Sequence, residues 1–286
     1  MSKNTIKTYV LLAFLGGLMI IIGSFFGRNG AVIGLLLGLV FTMGSYWFSD
    51  TIAIKAARAQ PVSEQEMPDY YRIVRELTQR LDMPMPKLYV TPDMQPNAFA
   101  TGRNPNHAAV AVTQGILQIC DWDELKGVLA HEISHVGNRD ILIGSVAASV
   151  AMGITFMARM AMWGAMFGGG GGSDRDRNAN PIALLAMMIL APMAAMLLQM
   201  ALTRSREYEA DRSGARLLGT GEPLARALEK LEAGVKQIPM NVQPAQASMF
   251  IVNPLTGRKV QFANLFMTHP PTADRIARLR AGDWRQ

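Results

Sequence analysis

The sequence predicts a mainly helical α+β fold, in which a helical domain with a small β-sheet is fused to about four membrane helices. Three observations predict it: four long apolar runs, apolar residues at helical spacing between them, and three short strand candidates close together. Half of the 286 residues are hydrophobic but only 7% are aromatic, which is typical of chains partly solvated by lipid. The formal charge of +6 comes without a basic stripe interleaved with aromatics, so we expect a lipid bilayer and no nucleic acid as partners.

The apolar runs form two pairs. Tyr9–Phe26 and Ala31–Phe48 are each near the ~20 residues that span a bilayer core, and the short turn between them predicts a transmembrane hairpin. The second pair is Ile141–Phe167 and Pro181–Leu202, joined by a glycine-rich polar link. Arg159 interrupts the first run of this pair, so the sequence leaves open whether the second pair crosses the bilayer twice.

These runs divide the chain into four segments. We expect an N-terminal transmembrane hairpin over residues 1–50, a first polar segment over 51–140, a second membrane hairpin over 141–203 and a second polar segment over 204–286. Lys and Arg are concentrated beside the chain ends and the polar segments, so the positive-inside bias predicts that both polar segments face the cytoplasm. The one cysteine, Cys120, excludes an intrachain disulfide and fits a reducing compartment.

The polar segments carry signals for short helices and strands. Ser63 and Glu66 resemble a capping box before a run of apolar residues at helical spacing. Three strand candidates follow, at Lys87–Val90, Asn97–Thr101 and His107–Thr113. Asp121 or Asp123 can cap the next helix, and Pro223 predicts the start of another in the second polar segment.

The chemistry is concentrated in the motif His131-Glu132-Ile133-Ser134-His135. Two histidines four apart on a helix point the same way, so both imidazoles can reach one zinc ion. Glu132 lies beside that face, where it can take a proton from water as the general base of a metallopeptidase. The metzincin pattern would need Gly at Asn138 and His at Ile141, so that class is excluded.

A catalytic zinc site also needs a third protein ligand. Glu207 and Asp211 are four apart on a predicted helix, where two like charges repel unless a cation lies against that face. We therefore predict Glu207 as the ligand and Asp211 as an acceptor that orients a ligating imidazole. Glu209 points elsewhere, while His107 and His269 remain possible third ligands.

The chain resembles the bacterial HtpX heat-shock membrane proteases, a zinc metallopeptidase family related to the eukaryotic CAAX prenyl endopeptidase. The resemblance covers nearly the whole length, including both hairpins, and its motifs are Asn97–Ala100, His131–His135, Glu207–Asp211 and the tail beginning His269-Pro270-Pro271. It implies a helical zincin-type domain with one zinc ion per chain and Glu207 as third ligand. It also implies a multi-pass protein of the bacterial inner membrane that cleaves unfolded or damaged membrane proteins on the cytoplasmic side during stress.

Two further roles are implied by the resemblance. The family has an edge strand beside the metal that binds extended substrate through main-chain hydrogen bonds. The matching residues here are Asn97, Ala98, Phe99 and Ala100. His269 and Arg275 match residues that can stabilise the oxyanion formed when water attacks.

Two other functions remain open from the sequence. An intramembrane-cleaving metalloprotease would carry the motif inside a membrane span, whereas the helix before His131 contains Asp121, Asp123, Glu124 and Lys126. A catalytically inactive membrane scaffold would have no need for Glu132, because a structural zinc site requires no carboxylate beside a water molecule.

Overall fold

The chain forms two compact units in a computed structural model that describes residues 27–138, 140, 141, 206–237, 251, 252 and 270–285, with residues 13, 17, 20 and 24. One unit consists of residues 1–47 and 146–199, and the other of residues 48–145 and 200–286. The second unit contains the sheet and the His131–His135 motif, so the description below concerns that unit unless stated otherwise.

A four-stranded mixed sheet forms one layer of the second unit. Its strands are β1 (Gln60–Pro61), β2 (Lys87–Thr91), β3 (Ala98–Gly102) and β4 (Ala108–Thr113), in the order β1-β2-β4-β3. β4 pairs parallel with β2 and antiparallel with β3, with Ala100 opposite Val110. β3 is therefore an outer strand, and the three predicted strand candidates are confirmed.

Helices make up most of the described remainder. They are α1 (Gly27–Ala56), α2 (Pro68–Arg80), α3 (Gln114–Ile119), α4 (Trp122–Gly137), α5 (residues 206–218), α6 (Glu222–Gln237) and α7 (Thr272–Ala281). The mainly helical character with a small mixed sheet agrees with the fold class that the sequence predicts.

The helix ends show which local signals were correct. At the start of α4, Asp121 accepts hydrogen bonds from the Asp123 and Glu124 backbone, and the Glu124 side chain accepts one from the Asp121 N–H. This capping box satisfies donors that a helix start leaves unpaired. Ser63 and Glu66 also bond to each other, but α2 begins only at Pro68, so this pair closes the preceding turn instead of capping the helix.

The core lies between the sheet and helices α2, α4 and α6. Val128 and Leu129 of α4 pack with Leu228 of α6 and Val110 of β4, all fully buried. Gly127 lets α4 and α6 approach closely, because a Cβ there would lie 2.4 Å from the Leu224 nitrogen. The core therefore holds α4 rigidly at its centre, and the histidine motif occupies the C-terminal half of that helix.

The predicted membrane helices stay a prediction. α1 contains the run Ala31–Phe48, and it exposes apolar side chains such as Ile33, Leu36 and Val40. Among the residues that the structure describes, none of the helices combines the length and the apolar character that crossing a membrane requires. The other three predicted runs lie almost entirely outside the described residues.

Candidate active site

His131 and His135 lie one turn apart on α4 and point to the same place. Their Nε2 atoms are 3.2 Å apart, and the ring planes are nearly perpendicular. His131 is only 1% exposed, while His135 is partly buried. Two nitrogens bound to one tetrahedral zinc ion at about 2.0–2.1 Å would be roughly 3.3 Å apart, so this pair has the spacing of a metal ligand pair.

Glu207 on α5 supplies the third donor. Its Oε2 lies 3.6 Å from His131 Nε2, and its Oε1 lies 3.6 Å from His135 Nε2. The donor atoms of His131, His135 and Glu207 all lie within 4.8 Å of one another. Two imidazoles and one carboxylate at these separations fit a divalent cation with a coordination position to spare.

A close approach between α4 and α5 brings these donors together. A Cβ on Gly214 of α5 would lie 3.0 Å from the backbone nitrogen of His131 and 3.1 Å from the backbone carbonyl carbon of Ala130. Only glycine fits this contact without displacing backbone. Gly214 is seven residues, or two turns, after Glu207, so the contact holds the ligand-bearing face of α5 against the motif.

Asp211 lies behind His131 and is itself clamped by Arg275 of α7. Asp211 Oδ1 is 2.9 Å from His131 Nδ1, and the Arg275 Nε and Nη2 groups donate to the two Asp211 oxygens at 2.8 and 2.7 Å. Burial opposes ionisation of Asp211, but Arg275 and His131 outweigh it and lower the pKa of this carboxyl to about 2. Asp211 is therefore a fixed anion facing the imidazole.

Arg275 is 1% exposed and has little donor capacity left for substrate. Its Nη1 donates to the Ile251 carbonyl at 2.9 Å and lies 3.9 Å from Glu207 Oε2. The guanidinium thus faces Glu207 and Asp211 of α5, and it balances their charge in buried surroundings.

The Glu132 side chain extends from α4 to strand β3. Its Oε2 accepts a hydrogen bond from the Ala100 N–H at 2.8 Å, and the residue is 5% exposed. Burial raises the pKa of the Glu132 carboxyl, and the neighbouring histidines and the Ala100 N–H oppose this only in part. A carboxyl with a raised pKa near a metal position is suited to exchanging protons with water.

The hydrogen bond to Glu132 also fixes which way β3 faces. The Ala100 N–H donates to Glu132, so it points away from β4, and the alternation of a strand gives Ala98 the same orientation. Asn97 points the other way, since its carbonyl accepts from the Thr113 N–H of β4. The Asn97 side chain accepts from the Ile251 N–H, which ties the start of β3 to the segment that Arg275 also contacts.

The other predicted site residues lie elsewhere. His107 is exposed beside β4 and lies 3.0 Å from the Asn104 side chain. Glu209 is exposed on α5, where it faces Arg212 at 3.5 Å. His269 lies outside the described residues.

Sequence reasoning missed Asp140, whose carboxylate faces His135 from behind. Both of its oxygens are 3.1 Å from His135 Nδ1. The available signal was modest: Asp140 is the first carboxylate after the end of α4, five residues beyond His135. Gly214 was missed as well, because a single glycine on a predicted helix does not reveal a helix–helix contact.

The sequence matches a protein family and close relatives over most of its length. The profile of peptidase family M48 matches residues 64–283. A protease HtpX homolog from Syntrophobacter fumaroxidans is 53% identical over 278 residues, covering 96% of this chain and 98% of the relative. Another, from Pelotomaculum thermopropionicum, is 48% identical over 279 residues, covering 97% and 99%.

A solved structure is similar in fold. The crystal structure of S. mikatae Ste24p superposes with a TM-score of 0.54 at 18% identity, covering 96% of this chain and 65% of that chain. At this identity the likeness concerns the fold alone. The match to the family profile and the HtpX-type relatives, however, cover the motif and nearly the whole sequence. The chain is therefore a metalloprotease that belongs to peptidase family M48.

Proposed function

We propose that the chain is a zinc-dependent endopeptidase with one zinc ion held by His131, His135 and Glu207. The observation that carries this proposal is the convergence of two imidazole nitrogens and a carboxylate from separate helices within 4.8 Å. Two histidines with one glutamate are a ligand set of catalytic zinc sites, which keep a further position for water or substrate. When bound, the ion polarises the substrate carbonyl and lowers the pKa of water to about 7.

Glu132 is the proposed general base. Its carboxylate follows His131 directly in the chain and is held toward β3 by the Ala100 N–H. There it accepts the proton of the attacking water and then delivers it to the leaving amine. Because Glu132 is buried, this proton is not exchanged freely with bulk solvent between the two steps.

Arg275 is assigned a positioning role. Three of its donor groups are bound to Asp211 and to the Ile251 carbonyl, which leaves its charge directed at the acidic residues of α5. We therefore propose that Arg275 fixes Asp211, and that Asp211 orients the His131 imidazole. Stabilisation of the oxyanion is then proposed for His269, on the resemblance in sequence alone.

Substrate is proposed to bind along β3 as an additional strand. On the side away from β4, the main-chain groups of Ala98 and the carbonyl of Ala100 face outward, while the Ala100 N–H donates to Glu132. Main-chain pairing is nearly independent of substrate sequence, which suits a protease that degrades unfolded chains. The stretch Asn97, Ala98, Phe99 and Ala100 would then place the scissile peptide beside the metal ligands.

The proposed location is the bacterial inner membrane, with the active site facing the cytoplasm and damaged membrane proteins as substrates. This is supported by the four apolar runs, the bias of Lys and Arg, and the apolar side chains exposed along α1. Cleavage inside the bilayer is disfavoured, because Asp123 and Lys126 of α4 form ion pairs with Arg226 and Glu76 of the polar segments.

The test is Glu132→Gln in the purified full-length protein. We expect this variant to keep its zinc and to lose at least a hundredfold of its peptidase activity on an unfolded substrate, because the amide cannot accept the proton. Glu209→Gln, on the exposed face of α5, is the control and should retain activity. Wild-type protein that shows no zinc-dependent cleavage would replace this proposal with the inactive scaffold.

A second measurement separates the two kinds of protease. A reporter with one membrane span and a cytoplasmic loop should be cut in the loop. Cleavage within the span would favour an intramembrane enzyme.

A further inference from the structure

Asp140 faces the unligated side of His135. Its two carboxylate oxygens are each 3.1 Å from His135 Nδ1, and the residue is only 4% exposed. The opposite ring nitrogen, Nε2, is the one that points toward His131 and Glu207. A carboxylate at Nδ1 therefore holds a hydrogen there and leaves the Nε2 lone pair directed into the site.

Two hydrogen bonds hold the main chain of Asp140, and the residue after it is buried. The Asp140 N–H donates to the His135 carbonyl at 3.2 Å, and the Asp140 carbonyl accepts from Arg206 Nη1 at 3.2 Å. The next residue, Ile141, is buried against Val136 of α4. Arg206 directly precedes Glu207 in the chain. Helix α5 therefore both carries Glu207 and holds Asp140 next to His135.

Each of the two histidines thus has a carboxylate next to its Nδ1 atom. His131 has Asp211 at Nδ1, and His135 has Asp140, although one carboxylate comes from α5 and the other follows α4. The difference is in how each carboxylate is held, since Arg275 clamps the Asp211 side chain whereas Arg206 binds the Asp140 main chain.

We propose that Asp140 is the positioning residue for His135: it selects the Nε2-coordinating form of the ring and fixes its plane toward the metal. This inference rests on the proposed zinc site. Carboxylates behind ligating imidazoles typically contribute 10–100-fold to metal affinity, by orienting the ring and raising its basicity.

The experiment compares Asp140→Ala, Asp140→Asn and Asp140→Glu in the full-length protein in detergent. The dissociation constant for zinc is measured by competition with a chelator, and the Co²⁺-substituted protein is examined by visible absorption. We expect Asp140→Ala to weaken zinc binding about 10–100-fold. Asp140→Asn should weaken it less, because the amide oxygen still accepts from Nδ1, and Asp140→Glu should restore part of the loss.

Two controls distinguish positioning from general stability. Asp123→Asn removes an exposed carboxylate from α4, the helix that carries His135, and should leave zinc binding unchanged. Thermal unfolding in excess chelator reports the fold without metal, and Asp140→Asn should unfold within a few degrees of wild type.

The result that overturns the inference is unchanged zinc affinity and an unchanged Co²⁺ spectrum in both Asp140→Ala and Asp140→Asn, while wild type binds zinc and cleaves substrate. Wild type that binds no zinc would instead reject the proposed function, and this inference with it. The two failures are therefore separable in one set of samples.

Discussion

The two halves of α4 carry charges in opposite settings. In the N-terminal half, Asp123 pairs with Arg226 at 2.6 Å and Lys126 with Glu76 at 2.7 Å, on side chains that solvent reaches. In the C-terminal half, His131 and Glu132 are buried. Exposed ion pairs are screened and contribute little to stability, whereas buried charges are costly unless each has a partner.

This difference in burial separates the part of α4 that supports the fold from the part that carries the candidate active site. Asp123 and Lys126 could be replaced without disturbing the core, because their ion pairs lie at the surface. The buried end collects ionisable groups from α4, α5 and α7 where apolar side chains would pack at lower cost. A protein retains such a cluster when a bound cation and a reaction require it, which is the functional argument for this site.

Removing Arg275 should give the largest loss in stability. Arg275→Ala leaves the Asp211 carboxylate buried without its clamp, and breaking a buried ion pair in this way typically costs about 3–5 kcal/mol. The free energy of unfolding in denaturant measures it. Arg280→Ala, on the exposed face of α7, removes pairs with Glu222 and Glu229 and should cost far less. An equal loss of unfolding free energy in the two variants would show that the buried pair contributes no more to stability than the exposed pairs.

Gly214→Ala should have an intermediate effect. The added methyl group meets main-chain atoms of Ala130 and His131, and overpacking of this kind typically costs about 1–3 kcal/mol. Because the displaced backbone is that of His131, a proposed zinc ligand, zinc affinity should fall together with stability. Gly137→Ala is the matched control, since its methyl group would meet only flexible side chains of Met83 and Leu81. A normal zinc affinity in Gly214→Ala would show that this contact does not position the site.

The smallest expected effect is the pH dependence of stability that comes from the Asp211–Arg275 pair, because it appears only in acid. The pKa of Asp211 is about 2 in the folded protein against 3.8 as its ordinary value, so its stabilisation is complete above pH 3.8. It is lost as the pH falls toward 2. The difference in unfolding free energy between metal-free wild type and Asp211→Asn should therefore persist above pH 5 and shrink below pH 4. A difference that disappears already near pH 6 would contradict this assignment.

Local patterns predicted much of the site because its central motif is local. The histidines four apart, the capped start of α4 and the three strands all follow from spacing within a few residues. Glu207 and Asp211 were predicted from the repulsion of like charges on one helix face, and the structure brings both to the histidines.

The remaining features depend on tertiary contacts. The guanidinium of Arg275 faces α5 because α7 packs beside it, which no local pattern specifies. Asp140 acquires its position from a turn that Ile141 and Arg206 hold, and Gly214 matters only through the main chain of a different helix. For Ser63 and Glu66 the local pattern predicted the hydrogen bond correctly but not its place. The bond forms in the turn before α2, which begins only at Pro68.

The most direct test of the proposed zinc site is the zinc content of the purified full-length protein and of Glu207→Gln, with Glu209→Gln as control. We expect one zinc ion per chain in wild type and in the control, and a large loss of zinc in Glu207→Gln, because Glu207 is the carboxylate that the described part of the structure brings together with both imidazoles. Full zinc occupancy in Glu207→Gln would contradict the assignment of Glu207 as the third zinc ligand and would assign that role to another residue.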